Sequence, residues 1–148
     1  MKVAIIQHDI RENAIEWNLQ HIAPLLDEQR GADLFVLAET FATGFLAEGS
    51  TQHAADDGRL ILSWMQQQAG RMNAAIAGSV ATVDAEGRLR NRLYFVRPDG
   101  SYDYYDKRHL FSYAGETKDY AAGDRRVMVA RRGVRWMLPV CYDFRFPG

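Results

Sequence analysis

A single cysteine among 148 residues means that no disulfide can close within the chain, and a reducing cytoplasm is the expected compartment. Charge of either sign is not in excess. The 18 basic and 19 acidic residues leave a formal net charge of −1, which gives no long-range attraction to nucleic acid or to an anionic membrane. Long apolar runs are missing, so no membrane-spanning helix is expected. The opening Met1-Lys2-Val3-Ala4-Ile5-Ile6-Gln7-His8 turns polar too soon to hold the apolar core of a secretory signal. There is no glycine-rich phosphate loop of either common pattern. His8, His21, His53 and His109 have no close ligand spacing with Cys141, so metal ligation is not expected. Repeats, low-complexity tracts and flexible linkers are absent too, which favours one domain.

What is present is a folding composition, 47% hydrophobic and 25% charged, with enough chain to bury a sizeable core. Residues 2–7, rich in Val and Ile, read as a short buried strand. Ile15, Leu19, Ile22 and Leu26 recur at spacings of four, three and four, which predicts a helix from about Asn13 to Gln29. Pro24 lies inside it as a possible kink or break, and Gly31 is the expected stop. The continuous run Leu34-Phe35-Val36-Leu37-Ala38 predicts a central parallel strand with Glu39 at its C-terminal end. A loop follows from Thr40 to Thr51, containing Gly44 and Gly49. A second helix is predicted from about Asp57 to Met72, with Ile61, Leu62, Met65 and Ala69 inward.

Ala74 to Val83, Asn91 to Arg97 and Ser101 to Asp106 read as three antiparallel strands, turned at Asp84-Ala85-Glu86-Gly87 and Pro98-Asp99-Gly100. Lys107 to Gly123 has no clear period, and structureless loops of that length are often functional. Arg126 to Ala130 and Val134 to Val140 are the last strand candidates, joined at Arg131-Arg132-Gly133. The basic set Arg125, Arg126, Arg131, Arg132 and Arg135 is the best argument for nucleic acid. Its apolar flanks and glycine turn read better as a solvated strand-turn-strand edge. A strand-helix-strand unit followed by hairpins gives a layered α/β class, with sites expected at the C-terminal ends of strands.

Three residues could carry chemistry. Cys141, after Leu138-Pro139-Val140, is either a small core hydrophobe or a thiol nucleophile at a strand end, with the N–H groups of the next turn facing a developing oxyanion. Glu39, after five apolar residues, is either a strand-end cap or a partly desolvated general base. Lys107, in Asp106-Lys107-Arg108-His109, is either part of a solvated charge run or a fixed ammonium beside an oxyanion. Periodicity alone does not bring the three together.

The motifs do so by resemblance. Lys2-Val3-Ala4-Ile5-Ile6-Gln7, Leu34-Phe35-Val36-Leu37-Ala38-Glu39-Thr40-Phe41 with Thr43-Gly44-Phe45, Tyr105-Asp106-Lys107-Arg108-His109-Leu110-Phe111 and Pro139-Val140-Cys141-Tyr142-Asp143-Phe144-Arg145-Phe146-Pro147 are in the order and at the spacing of the nitrilase, or carbon–nitrogen hydrolase, superfamily. The sequence resembles its omega-amidase branch most. The resemblance implies Glu39 as general base, Lys107 as oxyanion stabiliser and Cys141 as nucleophile. Glu116, in Ala114-Gly115-Glu116, matches a second glutamate that orients the lysine, and the Tyr142 N–H would share the oxyanion. Arg108, Arg145 and Phe111 are candidates for binding substrate.

The implied reaction is hydrolysis of the terminal amide of a small 2-oxo dicarboxylic acid monoamide, such as 2-oxoglutaramate, through a cysteine thioester. The alternatives are acyl transfer to an amine by the same nucleophile, and a non-catalytic interaction domain or truncated remnant. A homodimer or larger homo-oligomer is expected. The implied fold is a four-layer α-β-β-α sandwich, of which residues 1–148 would be the N-terminal portion of a single domain. The sequence departs from the family at Gly148, where relatives usually carry Glu.

Overall fold

The computed structural model describes residues 1–46 and 51–146, with Thr51 described by its backbone only. Gly49 of the expected loop and the departure at Gly148 lie outside the described residues. The element order is β1 (Val3–Ile6), α1 (Ile15–Glu28), β2 (Leu34–Leu37), a 3-10 turn (Thr51–His53), α2 (Ala54–Met72), β3 (Ala75–Val83), β4 (Leu89–Val96) and β5 (Tyr102–Asp106). A 3-10 turn (Ser112–Ala114), α3 (Glu116–Asp119), β6 (Met128–Arg131), β7 (Val134–Met137) and a last 3-10 turn (Cys141–Arg145) complete it.

Five strands form one sheet in the order β1-β2-β3-β4-β5. The first three are parallel, because α1 and α2 carry the chain back across one face between them. Tight turns then make β3-β4 and β4-β5 antiparallel. The expected hairpins therefore extend the sheet to one edge, and β1 is the other. Proline 24 does not divide α1, which runs through it with Pro24 on the exposed side. Gln20, whose carbonyl loses its helical donor there, is exposed as well.

The central strands β2, β3 and β4 divide their side chains between two cores. Phe35, Ile76, Val80 and Val96 meet Ile22, Leu26, Ile61 and Met65 of the helices. On the opposite face Leu34, Ala75, Ala77, Phe95 and Tyr105 pack with Val129, Leu138 and Val140. That second partner is the β6–β7 hairpin, a separate two-stranded sheet. Helices, sheet and hairpin are thus three stacked layers of an α-β-β arrangement among the described residues.

Three expectations need correction. The first strand is an edge strand buried on one face only, since Val3 and Ile5 are exposed. The stretch from Lys107 to Gly123 is not structureless, since it contains the 3-10 turn and α3. The last strand ends at Met137 rather than Val140, and Pro139, without an N–H, stands just after it. Cys141 therefore does not sit on a strand end. It opens a 3-10 turn, with a left-handed φ of 45°.

Candidate functional site

Three segments meet beside the hairpin-facing side of the sheet. Glu39 lies two residues beyond β2, Lys107 directly follows β5, and Glu116 opens α3. Lys107 is buried to 1% exposure and its Nζ donates to Glu39 Oε1 at 2.8 Å and to Glu116 Oε2 at 2.9 Å. The Phe111 backbone N–H donates to the same Glu116 oxygen at 2.6 Å. Burial alone would lower the Lys107 pKa, but the bonds and charges of Glu39 and Glu116 outweigh it and hold the ammonium above its ordinary value. The cluster formally carries two negative charges against one positive.

The backbone around Glu39 is fixed on the next residue. Thr40 has φ of 47°, an uncommon conformation for a residue with a Cβ, and its N–H donates to the buried Ser79 Oγ at 2.9 Å. Ser79 and Ala77 on β3 are small, and the space they leave opens a cavity of about 320 Å³. Glu39 and Cys141 both line it, together with Leu93, Phe95, Trp136 and Phe144. Cys141 is exposed. Its thiol pKa is raised by burial of the sulfur's surroundings first, then by the charge and side-chain hydrogen bond of Glu39, with Lys107 opposing. The neutral thiol is therefore favoured beside this carboxylate. Tyr142 follows Cys141 within the same 3-10 turn.

Asp143 ties this turn to the Lys107 segment. Its carboxylate accepts from the Tyr105 hydroxyl at 2.8 Å, the Val140 N–H at 3.0 Å and the His109 N–H at 2.9 Å, and pairs with His109 Nδ1 at 2.8 Å. Burial would raise its pKa, but these bonds prevail and hold it below the usual carboxylate range.

The other sequence candidates lie apart from the cavity. Arg108 borders a separate small cleft with His109, Arg126 and Asp143, and Arg145 is exposed. Phe111 stands edge-on to Tyr142, with ring centres 5.2 Å apart. None of the three lines the space next to Cys141. Asn91 on β4 was not a sequence candidate, yet its Nδ2 reaches Glu39 Oε1 at 2.8 Å and Glu116 Oε1 at 3.1 Å. The only sign of it in the sequence is a neutral polar residue alternating with Leu89 and Leu93. Among the described residues, no three His, Cys, Asp or Glu side chains are grouped to hold a metal ion.

The carbon-nitrogen hydrolase family model matches residues 2–148. The chain is 40% identical to the omega-amidase YafV of Escherichia coli K12 over 147 residues, covering 99% of this chain and 56% of that protein. It is 30% identical to the 2-oxoglutaramate amidase of Bacillus subtilis over 148 residues, covering 98% of this chain and 57% of that protein. Among solved structures it resembles XC1258 of Xanthomonas campestris, a CN-hydrolase superfamily protein with an arsenic adduct in its active site. The TM-score there is 0.90 at 39% identity, over 98% of this chain and 54% of the other. An amidase from Nesterenkonia sp. matches in fold, with TM-score 0.88 at 23% identity. The chain spans little more than half the length of these relatives.

Proposed function

The chain belongs to the carbon–nitrogen hydrolase family, and from that premise we propose that it carries the reacting groups of an amide hydrolase whose nucleophile is Cys141. The observation that carries this reading is the placement of an ammonium between two carboxylates, one of which borders the same cavity as the thiol.

Cys141 Sγ attacks the amide carbonyl carbon while Glu39 takes the thiol proton. The oxygen gains negative charge, which Lys107 and the Tyr142 N–H receive. Removing one such donor typically costs about 2.7–4 kcal/mol of barrier. The C–N bond then breaks, and Glu39 passes its proton to the departing nitrogen, which leaves as ammonia. Water, deprotonated by the same carboxylate, adds to the thioester. The C–S bond breaks, yielding the free acid and the restored thiol. Glu116 keeps the lysine in place through this sequence, and no cofactor enters it.

The substrate class we infer is a small 2-oxo dicarboxylic acid monoamide, supported by the likeness to an omega-amidase and a 2-oxoglutaramate amidase. The apolar cavity beside Cys141 suits the methylene chain of such a compound. We place the protein in the cytoplasm, as a homodimer or larger homo-oligomer. Among the described residues, no helix is long and apolar enough to cross a membrane.

The test is ammonia release from 2-oxoglutaramate by the complete protein and its Cys141→Ala variant. The proposal expects release by the first and none by the second. Undiminished turnover in Cys141→Ala rejects the mechanism.

A further inference from the structure

Glu39 has two oxygens, and the donors around it are not shared between them. Lys107 Nζ and Asn91 Nδ2 both bond Oε1, each at 2.8 Å. Among the described residues, no N–H reaches Oε2. The same Asn91 amide nitrogen also donates to Glu116 Oε1 at 3.1 Å, the oxygen that Lys107 does not use. The backbone of Asn91 joins in, since its carbonyl accepts the Lys107 N–H at 2.9 Å. Glu39, Lys107, Glu116 and Asn91 thus close a ring of hydrogen bonds, and Asn91 is the one uncharged member. It is buried to 1% exposure. Donating to two carboxylates fixes its amide orientation, and its own Oδ1 is left without a partner. Burying an unpaired carbonyl oxygen is costly, so the orientation is held by what the nitrogen does.

We propose that Asn91 is a positioning residue, which selects Oε1 of Glu39 as the anchored oxygen and leaves Oε2 free to take the Cys141 proton. This inference rests on the proposed role of Glu39 as base. Two donors on one oxygen prevent the carboxylate from turning about its own axis, so the free lone pairs keep one direction. Productive proton transfer needs heavy atoms within about 2.6–3.2 Å, so an unanchored carboxylate is a poorer base even when its charge is unchanged. The tie to Glu116 has a second effect. It sets the separation of the two carboxylates so that a single ammonium satisfies both.

The titratable groups around Asn91 are Glu39 beyond β2, Lys107 beyond β5, Glu116 on α3, Tyr120 beyond α3 and Cys141 beyond the hairpin. Burial, with some contribution from the charges of Glu116 and Glu39, pushes the Tyr120 phenol up to about 12, so it stays neutral through the working range. Arg90 and Arg92 alternate onto the opposite face of β4 and are paired with Asp84 and Asp106. They do not substitute for the amide.

The test compares the complete protein with Asn91→Leu, which keeps the size of the side chain and removes both N–H groups. Carboxylates that lose donors bind protons more readily, and a carboxylate less neutralised by donors raises the pKa of the thiol beside it. Alkylation of Cys141 by iodoacetamide, followed on the peptide that carries it, is therefore expected to shift upward by about one pH unit in the variant. With 2-oxoglutaramate, the acid limb of kcat/KM against pH is expected to move the same way. The value of kcat falls at least about tenfold and KM stays within about threefold, the pattern of a group that acts through the base and not on substrate binding. A folded Asn91→Leu variant with the wild-type alkylation curve overturns the inference. Should that variant fail to fold, Asn91→Ala is read by the same curve and the same criterion. The alkylation measurement uses no substrate. If the wild type releases no ammonia, the functional reading fails, and the alkylation curve still decides the role of Asn91.

Discussion

Lys107 is the residue on which most of the site's electrostatics converge. It is a buried cation whose charge is balanced by Glu39 and Glu116 at 2.8 and 2.9 Å. Replacing it by Met keeps much of its volume and leaves two carboxylates facing each other with one partner removed. Breaking a buried pair in this way typically costs about 3–5 kcal/mol. Chemical denaturation of Lys107→Met is expected to show a loss of that order, and turnover should vanish with it. Glu116 is 4% exposed, so it has no route to solvent that would relieve the imbalance. Removing the cation and Glu116 together, as Lys107→Met with Glu116→Gln, should recover part of the stability and none of the activity.

At the scale of elements, the loop after Lys107 is held against the strand that precedes it. The Gly123 N–H donates to the Lys107 carbonyl at 2.9 Å. A Cβ on Gly123 would stand 2.2 Å from the Asp106 carbonyl oxygen, a backbone atom that cannot turn aside. Gly123→Ala must therefore move the end of β5 or the loop. Overpacking of this kind costs about 1–3 kcal/mol. Thermal melting should register it, and ammonia release should fall further than the stability loss alone explains, because Lys107 moves with the strand end.

Much of this layer was legible in the sequence. The apolar spacing of Ile15, Leu19, Ile22 and Leu26 gave α1 within about two residues at each end, since a period of 3.6 leaves little choice of face. The continuous run before Glu39 gave β2 and its burial. The approach to Cys141 was not legible. Val134 to Val140 reads as one strand because Leu138 and Val140 are apolar, yet these two pack downward into the hairpin-facing core after the strand has ended. The left-handed φ at Cys141 has no local signature such as glycine or asparagine. It depends on Asp143, whose carboxylate gathers the neighbouring Val140 N–H together with Tyr105 and His109, and the last two contacts are long-range. Asn91 was hidden for a similar reason. Between two arginines it looks like an ordinary strand residue until the ends of three other elements are brought around it.

For the whole molecule, the same contacts govern behaviour toward acid. Asp143 has a folded pKa held below its unfolded value by its hydrogen bonds, against the opposing effect of burial. Its contribution to stability is complete above the unfolded carboxylate value of about 3.9 and is lost as pH falls through the lower folded value. Asp33, lowered by the Lys2 N–H and by Arg132, adds to the same trend. Denaturation midpoints should therefore decline as the pH is brought from 5 toward 2. Asp143→Asn should flatten that decline, while lowering the midpoint at neutral pH.

The central claim, that Cys141 becomes covalently acylated with Glu39 and Lys107 around it, is tested most directly by acid-quenched mass spectrometry of the complete protein during turnover of 2-oxoglutaramate. The account predicts an adduct on the peptide carrying Cys141, with the mass of the acyl group left after loss of ammonia, and its disappearance as substrate is exhausted. Sustained ammonia release with Cys141 unmodified at every time point would contradict it.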